Sequence, residues 1–467
     1  MPAPRIEPPA TLQEICRSDP YERALHSYGR AYRDIVRAFR GRFDHPPDVV
    51  AYPRHERDIE HLLEWCSQAG AAAIPFGGGT SVVGGVEPRV PQGAAVAIDL
   101  KGIGRVLEVD SVSRAARIGA GATGPQLEAE LKQHGLTLRH YPQSFELSTL
   151  GGWIATRAGG HFATLHTHID DFVESVRAIT PTGAWESRRL PGSGAGPSPD
   201  RMLIGSEGIL GVITEAWVRV QQAPRHKQSA AVLFDSFADG ALATRALAQT
   251  RLFPTNCRLL DPGEAALTGA APGDKALLVL GFEGSGDVAA AMAQALELCR
   301  DHRGAPREKG GESEGAWRDA FLRAPYLRDT LIAAGILAET FETAITWDRF
   351  DDFVSRVRAA AEDALGGEGR VTCRLTHAYP DGAAPYFTVL APARRGEELE
   401  QWREVKVAAS EAIAAAGGTI THHHAVGRDH RRWYDLQRPE PFAAALRAAK
   451  AAVDPAGILN PGVLLDP

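Results

Sequence analysis

Residues 75–85 read PFGGGTSVVGG, five glycines around Thr80 and Ser81, directly after the apolar run AAAIP. A strand that runs into so many glycines cannot continue as strand or pass into regular helix. Glycine loses the most conformational freedom in either, and it is retained where the backbone needs positive φ or must approach something closely. With no side chain in the way, backbone N–H groups can converge on an anion, and the two hydroxyls add further donors. The stretch predicts a diphosphate-binding loop. No lysine follows the glycines, so it is not a Walker loop. A strained structural corner is the plainer alternative, but it leaves both hydroxyl donors unused.

A competing signal is GAGATG at 119–124, which fits GxGxxG, follows the strand-like AARI and precedes a helical pattern. A dinucleotide-binding turn of that kind needs an acidic residue about 20 positions further on. The chain there reads LTLRHYPQS and has none, so a nicotinamide site is set aside.

The rest of the chain is an ordinary folding polymer. With 467 residues, 44% hydrophobic and 23% charged, it is too long for one typical domain of roughly 100–200 residues. HERDIEHLLEWCSQAG places Ile59, Leu62, Leu63 and Cys66 on one helical face and stops at Gly70. Short apolar runs at AVAIDL, RVLEVD and AARIGAG and a helix at GPQLEAELKQHG give an α+β layout. Past Val220, alanine-rich helices alternate with strands such as ALLVLGFEG and YFTVLAP, and the polar stretch REKGGESEG is expected to be mobile. The expected domains are an N-terminal helical segment (1–44), a glycine-loop domain (45–222), a second α+β domain (223–415) and a C-terminal segment (416–467).

Several function classes fall away. A net charge of −7 spread along the chain offers no footprint for a polyanion, and RDHRRW is too short to serve as one, so nucleic acid is not an expected partner. Five scattered cysteines, odd in number and without CxxC spacing, argue for reduced thiols and a cytoplasmic setting. The N-terminal segment is broken by prolines, and no apolar run approaches the 18 or more residues of a membrane span.

THHHAVG at 421–427 is the other conspicuous motif. On an extended segment, His422 and His424 would face one way and His423 the other. Zinc needs three or four converging ligands, and the remainder would have to come from His161, His166, His168 or Cys373 at no recognised spacing, so no metal is expected. A solvated polar edge is the bland alternative. Acid/base chemistry is preferred because histidine titrates near neutral pH and can pass a proton either way.

Taken together, PFGGGTSVVGG, YPQSFELSTLGGWIATRAGG, IGSEGILGVITEA and DPAGILNPGVLL resemble the vanillyl-alcohol oxidase flavoprotein superfamily over nearly the whole chain. Within it, CRLLD, YLRDTL, ETFETAITWDRF, TCRLTHAY and above all THHHAVG are similar to the alkyldihydroxyacetonephosphate synthase (alkylglycerone-phosphate synthase) family, whereas the tail GILNPGVLL is closer to D-2-hydroxy-acid dehydrogenases. The resemblance implies an α+β two-subdomain FAD-binding domain with an α+β cap. It also implies an enzyme that exchanges the acyl group of acyl-dihydroxyacetone phosphate for a fatty alcohol without net redox change. The catalytic tyrosine falls on Tyr386 and the key histidine on His424, with His422 and His423 beside it. The phosphate-pairing arginines fall on Arg258 and Arg328, and Thr340 occupies a serine position. Arginine's planar fork suits a phosphate, although a surface ion pair is the commoner fate of any one arginine.

FAD would lie along Pro75, Gly77, Gly78, Gly79, Thr80 and Ser81, along Ser144, Ser148, Thr149, Gly151, Gly152 and Thr156, and along Glu207, Gly208, Gly211, Val212 and Ile213. The first loop contains no His or Cys, so the expected link is non-covalent. Glu207 itself reads as a helix cap without a catalytic role. The expected partners are a small-molecule lipid or hydroxy-acid substrate, a second copy of the chain in a homodimer, and peripheral contact with a membrane. The alternatives are an FAD-dependent D-2-hydroxy-acid dehydrogenase or oxidase, and a flavin-binding subunit without catalysis.

Overall fold

The computed structural model describes residues 1–90, 93–271, 273–307 and 326–466. The polar stretch expected to be mobile falls, apart from Arg307, outside the described residues. The chain divides into two compact units. The first comprises Met1–Gly159, His168–Gln221 and His423–Pro467; the second comprises Gly160–Thr167 and Gln222–His422.

Among the described residues, two larger sheets build the first unit. In one, Ala95–Asp99 lies between Val49–Ala51 and Ala72–Phe76, parallel to both, and Cys16–Arg17 adds an antiparallel edge. The helix Glu56–Ala69 covers this sheet. Its Ile59, Leu62, Leu63 and Cys66 are buried against Val49, Val96 and Ile98, and Gly70 closes it at φ +60°. Burial of each aliphatic side chain contributes about 1.5–3 kcal/mol. The helical face and its stop are those the spacing predicts. The C-terminal segment joins the same sheet through Ala73, which exchanges hydrogen bonds with Ile458 and Asn460.

The second sheet of this unit runs Val106–Asp110, Ala115–Gly119, Val212–Arg219, Val173–Thr180, Gly183–Glu186, antiparallel throughout. GAGATG therefore leaves an antiparallel strand. A dinucleotide-binding turn joins parallel strands through a crossover helix, so this context agrees with setting it aside.

Among the described residues the second unit is built on one antiparallel sheet of eight strands. It runs Ala305–Pro306, His226–Phe234, Ala276–Gly284, Asn256–Leu260, Arg370–Ala378, Gly382–Pro392, Ile336–Glu342, with Ile345–Thr346 also on Gly382–Pro392. The helices Phe237–Ala248, Ala289–Asp301, Phe350–Ala364 and Glu398–Ala415 belong to the same unit. Residues 416–422 also belong to it. Thr343 Oγ1 bonds the Thr419 carbonyl at 2.5 Å and Thr421 Oγ1 bonds Glu342 at 2.6 Å, so the second unit extends seven residues beyond the expected boundary.

Candidate active site

In the first unit the glycine loop is a backbone cradle. A Cβ on Gly78 would lie 2.0 Å from the Leu147 carbonyl oxygen, and one on Gly77 would lie 2.3 Å from Thr149 Oγ1. Gly79 sits at φ +63°, where a Cβ would meet the Phe76 ring at 2.6 Å. The loop and the 147–149 segment thus approach each other as closely as glycine allows. Ser81 Oγ folds back and accepts the Gly85 N–H at 3.0 Å. Pro75 carries the strand into the loop and packs 3.0 Å from the Cβ position of Gly208.

The second glycine stretch supports this cradle. Thr149 caps the helix Leu150–Thr156. Gly151 allows that helix onto Ala120, where a Cβ would lie 2.7 Å away. Three hydroxyls expected to serve a cofactor are engaged with the protein. Ser148 Oγ accepts from Trp153 Nε1 at 2.7 Å and lies 3.1 Å from Ser144 Oγ, and Thr156 Oγ1 donates to the Gly152 carbonyl at 2.8 Å. Gly211 is closely packed on Ala178 and Ile179, and Val212 and Ile213 are buried at the start of their strand.

Glu207 is not a helix cap, since the helix Asp200–Leu203 ends before it. It sits at φ +48°, buried, and its two carboxylate oxygens accept the N–H groups of Val426 (2.9 Å) and Gly427 (2.8 Å). Burial raises its carboxyl to about 7, against the two N–H bonds that favour the ionised form. Asn460 Nδ2 donates both to the Glu207 carbonyl (2.7 Å) and to that of Gly85 (3.1 Å). One buried knot therefore ties the glycine loop, the 205–208 turn and the chain just after the histidines. The Glu207 side chain is used by the protein itself, not left open for a cofactor.

The histidine run is a bend, not a strand. Instead of facing opposite ways, His423 and His424 meet edge to face with ring centroids 4.9 Å apart. The division between the units falls between His422 and His423. On the second-unit side, His422 Nε2 lies 2.6 Å from the Tyr379 hydroxyl, which also meets Thr167 Oγ1 at 3.0 Å. The His422 backbone N–H donates to Glu342 at 2.8 Å, and the ring of His377 lies 4.8 Å from that of His422. Glu342 fixes the front of the bend and Glu207 its rear, which is why the alternation expected of a strand is lost.

The same unit gathers a buried polar cluster around Tyr386 on the Gly382–Pro392 strand. Thr340 hydrogen-bonds the phenol. Arg258, 2% exposed, donates to Asn256 Oδ1 at 2.9 Å and to the His161 carbonyl at 2.8 Å. Burial, helped by the cation of Arg374, lowers its guanidinium to about 9. Arg374 is buried over the Tyr386 ring. Arg328, on the helical segment 326–333, has among the described residues an ion pair with Asp329 alone, at 3.6 Å. The structure thus joins Thr340 to Tyr386 and brings Arg258 near them through Arg374, while among the described residues Arg328 makes no contact with them. Arg374, His377, Tyr379, Glu342 and Glu264 go unnoticed in the sequence. The visible signal was several polar side chains inside RVTCRLTHA, a strand buried along nearly its full length.

Known proteins match both parts of the chain. Residues 223–464 match the family model of FAD linked oxidases, C-terminal domain, and residues 47–187 match that of an FAD binding domain. The chain is 31% identical to an alkyldihydroxyacetonephosphate synthase of Trypanosoma brucei brucei, over 96% of this chain and 78% of that one. The chain belongs to the alkyldihydroxyacetonephosphate synthase family of FAD-linked oxidases. A further synthase of this family, from Dictyostelium discoideum, is 29% identical over 97% of this chain and 79% of its own. The glycolate oxidase subunit GlcD of Bacillus subtilis is 26% identical over 89% and 88%. A solved alkyldihydroxyacetonephosphate synthase superposes with a TM-score of 0.81 at 27% identity, covering 96% of this chain and 82% of that one. The p-cresol methylhydroxylase structure, at 0.75 and 13%, shows the shared fold.

As a member of this FAD-linked family the protein binds FAD. The cradle fits that group: Gly77, Gly78 and Gly79 present backbone without side chains, and a Cβ at any of them would strike Thr149, the Leu147 carbonyl or the Phe76 ring and push the loop out of shape.

Proposed function

We propose that this protein exchanges the acyl group of an acyl-dihydroxyacetone phosphate for a long-chain alcohol. The observation that carries this reading is the buried cluster of Arg258, Thr340, Arg374 and Tyr386 in the second unit. It offers a desolvated cation for a phosphate and a phenol for proton transfer. The similarity to synthases of two organisms supports it. In the reaction one ester C–O bond breaks and the fatty acid leaves as its carboxylate. One ether C–O bond forms, and the alcohol gives up a proton. No electrons are gained or lost overall. FAD supplies, when bound, the electron-poor ring system that makes the substrate carbon reactive.

In this reading Arg258 holds the phosphate through its planar fork, with Arg328 as a second partner by likeness to the family. Tyr386 carries a proton to and from the substrate, with Thr340 holding its hydroxyl. The histidine bend is the second proton-handling group, its shape set by Glu342 and Glu207. Tyr386→Phe tests the assignment: it keeps the ring and its packing but has no proton to move. We expect exchange to fall by about 100-fold or more, the usual scale for losing a general acid/base group, with FAD still bound. Near-native exchange in this variant would remove Tyr386 from the chemistry.

A further inference from the structure

Three neighbouring strands of the second unit set a charged row around Tyr386. In register, Arg374 on Arg370–Ala378 pairs with Tyr386, and Tyr386 pairs with Glu342 on Ile336–Glu342. Directly paired residues in a sheet project to the same face, so the phenol stands between a guanidinium and a carboxylate. The contact with the cation is close: Arg374 Cζ lies 3.8 Å from the Tyr386 ring centroid. Behind Arg374, on the helix Pro262–Leu267, stands Glu264, 1% exposed and ion-paired with Arg374. Thr372 Oγ1 donates to the other Glu264 oxygen at 2.6 Å. All these groups are buried, where charges act on one another with little screening.

We propose that Arg374, tethered by Glu264, is a positioning residue that sets how readily the Tyr386 phenol gives up its proton. A cation against the ring face stabilises the negative charge that develops when the hydroxyl ionises. Burial alone drives the phenol's acidity the wrong way, and Arg374 is the largest opposing influence. Thr340 acts in the same direction as Arg374 through its hydrogen bond, while Glu264 and Glu342 oppose ionisation. Arg258 is a second buried cation near Arg374, and each repels the other. Glu264 therefore has two effects of opposite use: it holds the guanidinium in place and dilutes its charge. The functional weight of this inference rests on Tyr386 being the proton carrier, but the electrostatic claim is measurable without any turnover.

The experiment labels the tyrosines with ¹³C at Cζ, assigns the Tyr386 signal by its loss in Tyr386→Phe, and follows the onset of ionisation with pH in the FAD-loaded protein. In Arg374→Gln the onset should move up by about one pH unit or more, and in Glu264→Gln it should move down. Arg374→Lys keeps the charge and should restore much of the native onset. Because Arg374→Gln leaves Glu264 buried without its partner, the double variant Arg374→Gln/Glu264→Gln supplies a neutral pair if the single variant does not fold. Its onset should also move up, since the cation touches the ring and the carboxylate stands behind it. The basic limb of the pH–rate profile should shift in the same direction in each variant. A general structural disturbance would not move the two single variants in opposite directions. An unchanged onset in both, or a shift of the same sign in both, overturns the proposal. Full exchange activity in Tyr386→Phe would instead overturn the reading of Tyr386 and leave the NMR result to stand separately.

Discussion

The Tyr379 hydroxyl lies 2.6 Å from Nε2 of His422, and it is held from its other side by Thr167 Oγ1 at 3.0 Å. A hydrogen bond on one ring nitrogen fixes how the ring is turned and so where the other nitrogen points. Tyr379→Phe preserves the ring and removes only this bond. We expect exchange to drop about tenfold or more while FAD content and thermal midpoint stay near native. An unaltered rate would show that His422 needs no such partner.

Gly78→Ala should strip the protein of FAD. The added methyl would lie 2.0 Å from the Leu147 carbonyl oxygen, and backbone cannot swing aside as a side-chain tip can. Flavin absorbance of the purified variant measures this directly. A folded variant retaining native flavin content would show that the two loops need not approach so closely.

The legibility of these features in the sequence follows from how locally each is determined. The cradle could be read because glycine at positive φ or at close approach is a one-residue requirement, and Gly79 meets it at φ +63°. The helix Glu56–Ala69 could be read because a 3.6-residue period and a terminal glycine are properties of a short window. The Arg374–Tyr386 pair could not. It depends on the register between two strands, one of which has an irregularity between Leu375 and His377. The bend at His422–His424 departs from the expected strand for a related reason: the carboxylates that hold the chain on either side of it, Glu342 and Glu207, come from 80 and 219 residues away.

Arg258→Lys, compared at two pH values, tests the phosphate-holding role of the guanidinium. Burial already lowers the native guanidinium to about 9, so a lysine in the same place, whose ordinary pKa is about two units below that of arginine, would lose its proton more readily and be largely neutral at pH 8. The loss of a charged hydrogen bond, about 1.5–3 kcal/mol, predicts a KM for the phosphorylated substrate raised about 10- to 100-fold. Since lysine regains its proton as pH falls, the penalty should shrink on going from pH 8 to pH 6. A KM equal to the native one at pH 8 would remove Arg258 from phosphate recognition.

Glu207 gives a stability prediction with a definite sign. Its carboxyl in the folded protein is raised to about 7 from an ordinary value of 4.5. The folded state therefore holds a proton that the unfolded chain releases. The stabilisation is fully present below about 4.5 and is lost as pH rises through about 7. Differential scanning calorimetry of the FAD-loaded protein should show a thermal midpoint that declines between pH 5 and pH 8 more steeply than in Glu207→Gln. The variant should be less stable at both values, because an amide cannot accept both the Val426 and Gly427 N–H groups with its two terminal atoms. Parallel pH dependence in the two proteins would contradict the raised carboxyl.

The central claim is redox-neutral exchange, and the measurement that tests it most directly is stoichiometry. The FAD-loaded protein is incubated without oxygen or any added electron acceptor, with an acyl-dihydroxyacetone phosphate and a long-chain alcohol, and products are counted over many turnovers by mass spectrometry. The account predicts one fatty acid released for each alkyl-dihydroxyacetone phosphate formed, continuing well past one equivalent of enzyme. No ether product under these conditions, together with oxidation of a D-2-hydroxy acid matched by reduction of an added acceptor, would contradict it.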